Sequence, residues 1–282
     1  MRQELPSGSP APGWLPHGGP APFLALLWVA GAYGVFQLLV SVLSWRGRAL
    51  DLVSLGAAEA LAYTAVTFLV LHRSERGTPL RVALALRPTY SGLVWAGVGL
   101  GATLKLPAEA LTDLLERFVP VSDAQLVARA ALYRTDTLAD VLWLSFVTCL
   151  VAPLVEELFF RGALYGRLVK VSVFWAGLAT GLSFVVVHAD PRHWPALLVI
   201  AAALSYLRAA SGSLLPSLAL HVTFNAAGVL ALVVGAVSPT RPLHVSSWAT
   251  SSNCLAACLI ALFAVRGAEQ PEAVQARRED RS

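Results

Sequence analysis

Charged residues are scarce in this sequence. Asp, Glu, Lys and Arg make up 13% of its 282 residues, whereas hydrophobic residues make up 56%. A soluble domain is about 25% charged and about 45–50% apolar, so this chain has too little charge to cover a water-exposed surface of its size. The composition therefore excludes an ordinary soluble domain. It predicts a membrane protein built from spanning helices of about 20 residues each.

Cysteine is also scarce, and the basic residues form no cluster. The three cysteines, Cys149, Cys254 and Cys258, are odd in number and show no CxxC spacing, which argues against a disulfide framework and a thiolate metal site. Cys254 and Cys258 lie one helical turn apart, and we expect them to be small packing residues. The net charge is +4 and the arginines lie at the ends of apolar segments, so nucleic acid is not an expected partner.

Eight apolar segments are candidates for spanning helices and predict an all-α, polytopic membrane helix bundle. The third carries Lys105 and Glu109, whose i,i+4 spacing allows an ion pair. Residues 112–137 mix polar and apolar side chains, which predicts an amphipathic interfacial segment or a short soluble helix. The expected spans are Phe23–Leu43, Leu52–Leu71, Ser91–Leu111, Leu138–Leu168, Val171–His188, Trp194–Arg208, Ser213–Val237 and Val245–Val265.

These segments define one membrane domain, residues 23–265, with a tail at each end. Residues 1–22 are rich in Pro, Gly and Ser and predict a disordered tail, and residues 266–282 predict a charged one. Lys and Arg divide equally between the two sides, but they are denser in the short loops on the side of the termini. This distribution favours cytoplasmic termini. The Arg- and Ala-rich composition leads us to expect a bacterial inner (plasma) membrane.

A charged motif, Glu156-Glu157-Leu-Phe-Phe-Arg161, interrupts the fourth apolar segment. A charge inside a span costs roughly 2.5–3.5 kcal/mol, so it requires a reason. Glu157 and Arg161 have the favourable i,i+4 order, whereas Glu156 points about 100° away. We expect Arg161 to neutralise Glu157, and Glu156 to face a cavity as a general acid or base. The alternative is a purely structural ion network.

Two further motifs carry polar side chains on apolar helices. His188 ends the segment Phe-Val-Val-Val-His, and His221 is followed one turn later by Asn225. Taken alone, His188 is typical of a membrane interface, and the pair of His221 and Asn225 is typical of hydrogen bonding between helices. Neither motif predicts chemistry by itself.

Depth along the helices predicts that the three motifs meet in a polar intramembrane cavity. We measure depth along each helix from the turns expected near residues 169–171 and 210–212, at about 1.5 Å per residue. By this measure Glu156 lies at about 20 Å, His188 at about 25 Å and His221 at about 14 Å. Helix tilt can close such differences. A carboxylate, two imidazoles and an amide can activate a water and stabilise an oxyanion. Glu156, His188 and His221 could instead hold Zn²⁺ with an open water position, so both mechanisms stay open.

In this order, the motifs resemble those of the CAAX protease and bacteriocin-processing (CPBP, or Abi) family of intramembrane proteases. The resemblance covers about residues 138–237, the expected catalytic core. No single motif is specific, but three in order on predicted membrane helices are. The matching residues are Glu156, Glu157, Arg161, Phe184, His188, His221 and Asn225.

The resemblance implies an eight-helix fold and the hydrolysis of hydrophobic or membrane-anchored peptide substrates. It implies that Glu156 and His188 activate the attacking water. His221 and Asn225 would bind the oxyanion or, in a metalloprotease, help to hold the metal. The second glutamate and the arginine of the charged motif would organise the site.

Two other hypotheses explain the same sequence differently. A non-catalytic scaffold or immunity protein of this fold would need none of the motif residues. A transporter or proton relay would use the intramembrane acids, including Glu59 on the second segment. Signatures of other proteases are missing from the sequence: it has no H-E-x-x-H, no G-x-S-x-G and no pair of membrane aspartates.

Overall fold

The structure, a computed structural model, describes residues 21–47, 50–235 and 249–264, and they form helices joined by short loops. Within these ranges ten helices and one short 3₁₀ turn, Trp45–Gly47, follow one another, and no strand occurs. One of them, α6, combines α-helical and π-helical turns. The bounds are Ala21–Leu43 (α1), Leu52–Ser74 (α2), Leu80–Ala83 (α3), Ser91–Glu116 (α4), Asp123–Leu132 (α5), Leu138–Leu168 (α6), Val173–Val187 (α7), Trp194–Ser211 (α8), Leu215–Val233 (α9) and Ala249–Ala264 (α10).

Five helices, α1, α2, α6, α8 and α9, are long and apolar enough to cross a membrane. Two more, α7 and α10, are apolar but shorter. The 15 residues of α7 cover about 22 Å, less than the roughly 30 Å of a hydrocarbon core. The 26-residue α4 carries Lys105 and Glu109, which form the ion pair that their spacing predicted. The expected polytopic helical bundle is confirmed, and the described part of each of the eight apolar segments contains a helix.

Glycines bring α4 against α9, the helix that carries His221 and Asn225. A methyl group on Gly97 would overlap the backbone oxygen of Pro216, and one on Gly101 would overlap the backbone oxygen of Leu220. Backbones approach this closely only where small residues leave room, as in membrane helix pairs with Gly-x-x-x-Gly spacing. The glycines therefore help to set the position of α9.

The long helix α6 is not α-helical throughout. Residues Phe146–Val151 and Leu158–Leu164 are π-helical and flank the α-helical turn Ala152–Glu157. Wider π turns are common at functional sites because they re-aim side chains. Phe159 and Phe160, which follow the charged motif, are fully buried and pack on the ring of Tyr63 from α2.

Between α4 and α6, the short helix α5 follows a capping box. The Ser122 side chain accepts from the backbone N–H of Gln125, and the Gln125 side chain accepts from that of Ser122, which satisfies two donors at the helix start. None of the residues of α5 is buried. The segment predicted to be an amphipathic interfacial segment or a short soluble helix therefore contains a short helix on the surface of the bundle.

Some of the predictions lie outside the described residues. These include the disordered character of the first 20 residues and of the charged tail after residue 265. One prediction about packing is wrong: Cys254 and Cys258 are exposed on α10 instead of being packed inside, whereas Cys149 is buried. Small side chains on a helix carry no signal of which face they occupy, so the spacing of Cys254 and Cys258 could not decide this.

Candidate active site

The charged motif on α6 separates its two acids as the helix geometry predicted. Glu157 and Arg161 are both fully buried and pair at 2.9 Å between Oε1 and Nη1. The Arg161 guanidinium also lies 4.5 Å from the centre of the Phe184 ring, a cation–π contact. Arg161 therefore neutralises Glu157 from one helical turn away.

Glu156 points into a cavity of about 310 Å³ inside the bundle, which is lined by both apolar and polar side chains. It is only 6% exposed, so its carboxylate is enclosed by the residues that line this cavity. The cavity brings together four of the predicted site residues: Glu156, His188, His221 and Asn225. The predicted convergence in space is therefore present, and the catalytic roles of these residues stay predictions.

His221 lies between the two carboxylates of the motif. Its Nδ1 is 3.2 Å from Oε1 of Glu157, and its Nε2 is 3.5 Å from Oε2 of Glu156. A carboxylate paired with arginine only accepts hydrogen bonds, so Nδ1 carries the hydrogen and Nε2 faces the cavity. Glu157 thereby orients the ring of His221, a role beyond balancing the charge of Arg161.

His188 caps the end of α7 and faces the other side of Glu156. Its Nδ1 lies 2.7 Å from the backbone oxygen of Phe184 and must donate to that carbonyl. Its Nε2 is then directed toward Glu156, 3.9 Å from Oε1. This distance is too long for a direct hydrogen bond, but it leaves room for a water bonded to both groups.

A buried aromatic ring supports both histidines. Phe184 is 1% exposed, and its ring centre lies 4.6 Å from that of His188 and 5.6 Å from that of His221. The first residue of the Phe-x-x-x-His motif therefore contacts His221 and Arg161 from the other two motifs. Packing of this kind limits the rotamers that the imidazoles can adopt.

Asn225 anchors α9 to the first π-helical segment of α6. Its Nδ2 donates to the backbone oxygen of Thr148 at 2.8 Å. An amide nitrogen carries two hydrogens, so one bond to Thr148 leaves the other hydrogen available to the cavity.

The cavity also contains residues that the three motifs did not indicate. Glu59 on α2 lines it and shares a hydrogen bond with the carboxyl group of Glu156. Tyr63, one turn further along α2, and Tyr133, just after α5, line the same cavity. In the sequence, Glu59 stands out only as a charge inside an apolar segment, and we considered it there as part of the transporter or proton-relay hypothesis. The tyrosines gave no signal.

The loop between α7 and α8 is tied by a network of charges. Asp190 pairs with Arg192 at 2.8 Å and with Arg129 of α5 at 3.2 Å. Partial burial acts to raise the pKa of Asp190, but hydrogen bonds from the side chain and backbone of Arg192, with the positive charges of His193 and Arg192, hold the pKa well below its ordinary value. The loop that follows His188 therefore carries a firmly ionised carboxylate.

The donor types at the site suit a zinc ion, but their positions do not. Two imidazole Nε2 atoms with anchored Nδ1 atoms and one carboxylate are a common zinc donor set. In the described part of the chain, however, no three His, Cys, Asp or Glu side chains are arranged to hold a metal ion. Oε1 of Glu156 lies 3.9 Å from Nε2 of His188, and Oε2 lies 3.5 Å from Nε2 of His221.

Residues 137–227 match the family model described as type II CAAX prenyl endopeptidase Rce1-like. All seven motif residues fall within this range. The family resemblance inferred from the motifs is therefore confirmed for this segment, which is Rce1-like.

A stretch of 59 residues is 37% identical to "Putative membrane peptidase YdiL" of Bacillus subtilis (strain 168). It covers 21% of this chain and 24% of that relative, so the chain matches about a quarter of the curated relative's length. No solved structure matches the chain. Together, the family match and the apolar helices identify a multi-pass membrane protein with a peptidase-like core.

Proposed function

We propose that this protein is an intramembrane endopeptidase that hydrolyses peptide bonds of hydrophobic or membrane-anchored substrates. The observation that carries the proposal is the position of Glu156, whose two oxygens face His188 and His221 in a cavity among apolar helices. The family match and the description of the relative support the same class of activity.

In the proposed reaction, a water between Glu156 and Nε2 of His188 attacks the peptide carbonyl carbon. Glu156 takes a proton from the water as the new C–O bond forms, and the carbonyl oxygen becomes an oxyanion. The second Nδ2 hydrogen of Asn225 and a protonated His221 donate hydrogen bonds to that oxygen. Glu156 then passes its proton to the leaving nitrogen as the C–N bond breaks.

Zinc remains the alternative way to activate the water. Glu156, His188 and His221 would have to be its ligands, and the ion would supply a bound water with a pKa of about 7. Metal analysis of active purified protein separates the two mechanisms. Full activity without stoichiometric metal and in the presence of a chelator would exclude zinc; loss of activity on chelation, restored by zinc, would support it.

The natural substrates can be sought by comparing membrane peptides from cells that express the wild type or Glu156→Ala. We expect a set of hydrophobic fragments whose termini depend on Glu156. Equal amounts of both proteins in the membrane fraction are the control for folding and insertion. Identical peptide profiles would count against peptidase activity.

The two rival hypotheses account less well for the cavity. A scaffold or immunity protein gains nothing from two carboxylates and two histidines inside the bundle, where each buried charge costs free energy. A transporter would use Glu59, but Glu59 faces the same cavity as the three motifs. It would also require movement of a coupling ion or proton, which a flux assay in liposomes measures.

We also propose that both termini lie in the cytoplasm of a bacterial plasma membrane. At the end of the bundle where α4, α7 and α9 begin, basic residues dominate and Glu75, the described acid there, pairs with Lys170. The anionic inner leaflet attracts a basic surface of this kind. Among the described residues, most of the acids lie at the opposite end, which holds α5 and the α7–α8 loop: Asp51, Asp113, Glu116, Asp123, Asp136, Asp140 and Asp190.

A further inference from the structure

The turn directly after His188 has an unfavourable backbone conformation. Ala189 has a φ of 56°, in the left-handed region that a side chain with a Cβ atom rarely adopts. Helices often end with one residue in this conformation, but that residue is usually glycine. Because Ala189 follows His188 immediately, its conformation determines how the chain leaves α7.

The next residue, Asp190, holds this turn by several contacts. Its Oδ1 accepts from the backbone N–H of Arg192 at 3.1 Å and from Nε of the same residue at 2.8 Å. Its Oδ2 lies 2.8 Å from Nη2 of Arg192, 3.2 Å from Nη2 of Arg129 and 3.3 Å from Nδ1 of His193. One carboxylate thus closes the loop on itself and ties it to α5.

Helix α5 is anchored in turn to the rest of the bundle. Arg129 also pairs with Glu116 at the end of α4, at 3.1 Å, and Nη1 of Arg192 donates to Gln125 of α5 at 3.2 Å. The Arg192 side chain is 7% exposed, so this is a partly buried network, unlike the exposed pair of Arg134 and Asp136 nearby. The loop is therefore held by α4 and α5 as well as by its own residues.

We propose that Asp190 is a positioning residue for His188. Its pairs with Arg129 and Arg192 hold the left-handed turn at Ala189 and so keep the imidazole of His188 against Glu156. This inference rests on the proposed function, since the benefit of holding His188 is the activation of water. Without the carboxylate of Asp190, Ala189 relaxes to a negative φ and His188 leaves its place in the cavity.

The test uses the full-length protein in liposomes and two independent measurements. The first is the rate at which diethyl pyrocarbonate acylates His188, followed by mass spectrometry, with the exposed His72 as internal reference. The second is kcat and KM for a fluorogenic hydrophobic peptide that the wild type cleaves. In Asp190→Asn we expect faster acylation of His188 and a kcat lowered by about tenfold or more, with little change in KM.

A second substitution distinguishes positioning from a general structural role. Glycine adopts positive φ without cost, so Asp190→Asn combined with Ala189→Gly should regain most of the lost kcat and slow the acylation again. If Asp190 only stiffens the loop, the added flexibility of glycine should instead lower kcat further and speed the acylation of His188. Asp136→Asn is the matched control, because it breaks an exposed aspartate–arginine pair of 3.0 Å and should leave both measurements as in wild type.

Each outcome decides the proposal. Wild-type acylation and kcat in Asp190→Asn, or no recovery with glycine, would overturn it. If Asp190→Asn does not accumulate, Arg129→Gln removes one partner of Asp190 and should shift both measurements in the same direction. The acylation of His188 does not depend on catalysis. If the wild type cleaved no peptide, the proposed function would be wrong, but the acylation rates would still show whether Asp190 positions His188.

Discussion

At the scale of single residues, the site depends on buried charges that are paired. Arg161 and Glu157 have no exposure at all, and a buried charge is tolerated only with a partner and hydrogen bonds. Glu157 serves both Arg161 and His221. Its role is thus to hold two side chains in place, whereas Glu156 faces the cavity.

The first prediction concerns this pair. Glu157→Gln leaves the Arg161 guanidinium buried without its counter-ion, which should lower the free energy of unfolding by about 3–5 kcal/mol. Denaturant unfolding in detergent micelles, followed by helical circular dichroism, measures the change. Glu75→Gln is the matched control, since it breaks a partly exposed pair with Lys170 and should cost no more than about 1 kcal/mol. Similar losses in the two variants would contradict the account.

The sequence predicted some of the site residues and not others for a physical reason. The pairing of Glu157 with Arg161 follows from local helix geometry, so spacing alone predicts it. The meeting of Glu59 with Glu156 depends on how α2 packs against α6. No periodicity in either helix encodes which turn of one faces which turn of the other. Tyr63 and Tyr133 were missed for the same reason.

At the scale of elements, two features position the motif helices. Glycines let α9 approach α4, and π-helical turns in α6 flank the motif acids. The sequence predicted the helices. It did not predict the π turns, because a change from i,i+4 to i,i+5 hydrogen bonding has no simple residue signature.

The second prediction tests the contact between α4 and α9. Gly101→Ala places a methyl group against the backbone of Leu220 and 2.9 Å from the backbone nitrogen of Phe224, so α9 must shift. We expect unfolding to become easier by about 1–3 kcal/mol, with slower cleavage because His221 and Asn225 move with α9.

A matched glycine on another helix provides the control for this substitution. A methyl group on Gly34 in α1 would have no neighbouring atom within 4 Å, so Gly34→Ala should leave cleavage unchanged and keep or raise stability, since alanine favours helices. If Gly101→Ala had the same cleavage rate and stability as Gly34→Ala, the position of α9 would not depend on its close approach to α4.

At the scale of the whole molecule, charge is distributed unevenly along the bundle axis. At one end, exposed basic residues lie in the last turn of α2 (Arg73), in the turn before α4 (Arg87) and in the turn before α7 (Lys170). The cavity lies toward the other end, because it is lined by the first residues of α2 and α8, Leu52 and Leu197, and by the end of α7. Orientation in the membrane therefore decides from which side a substrate reaches the site.

The third prediction follows from this asymmetry. A cysteine introduced at Arg87, in the turn before α4, should react with a membrane-impermeant maleimide only after the membrane is made permeable. A cysteine at Arg134, at the cavity end, should react in intact cells. The native Cys149, Cys254 and Cys258 would be replaced by serine in the background protein. The reverse pattern would place the basic end outside and the cavity end in the cytoplasm.

The central claim is that Glu156 supplies the base for peptide hydrolysis. The most direct measurement is the rate at which purified wild type and Glu156→Gln, each in liposomes, cleave one hydrophobic peptide. Glutamine keeps the shape of the side chain but cannot accept the proton from water, so we expect no detectable cleavage by a variant with wild-type helical content. Cleavage by Glu156→Gln at the wild-type rate would contradict the account.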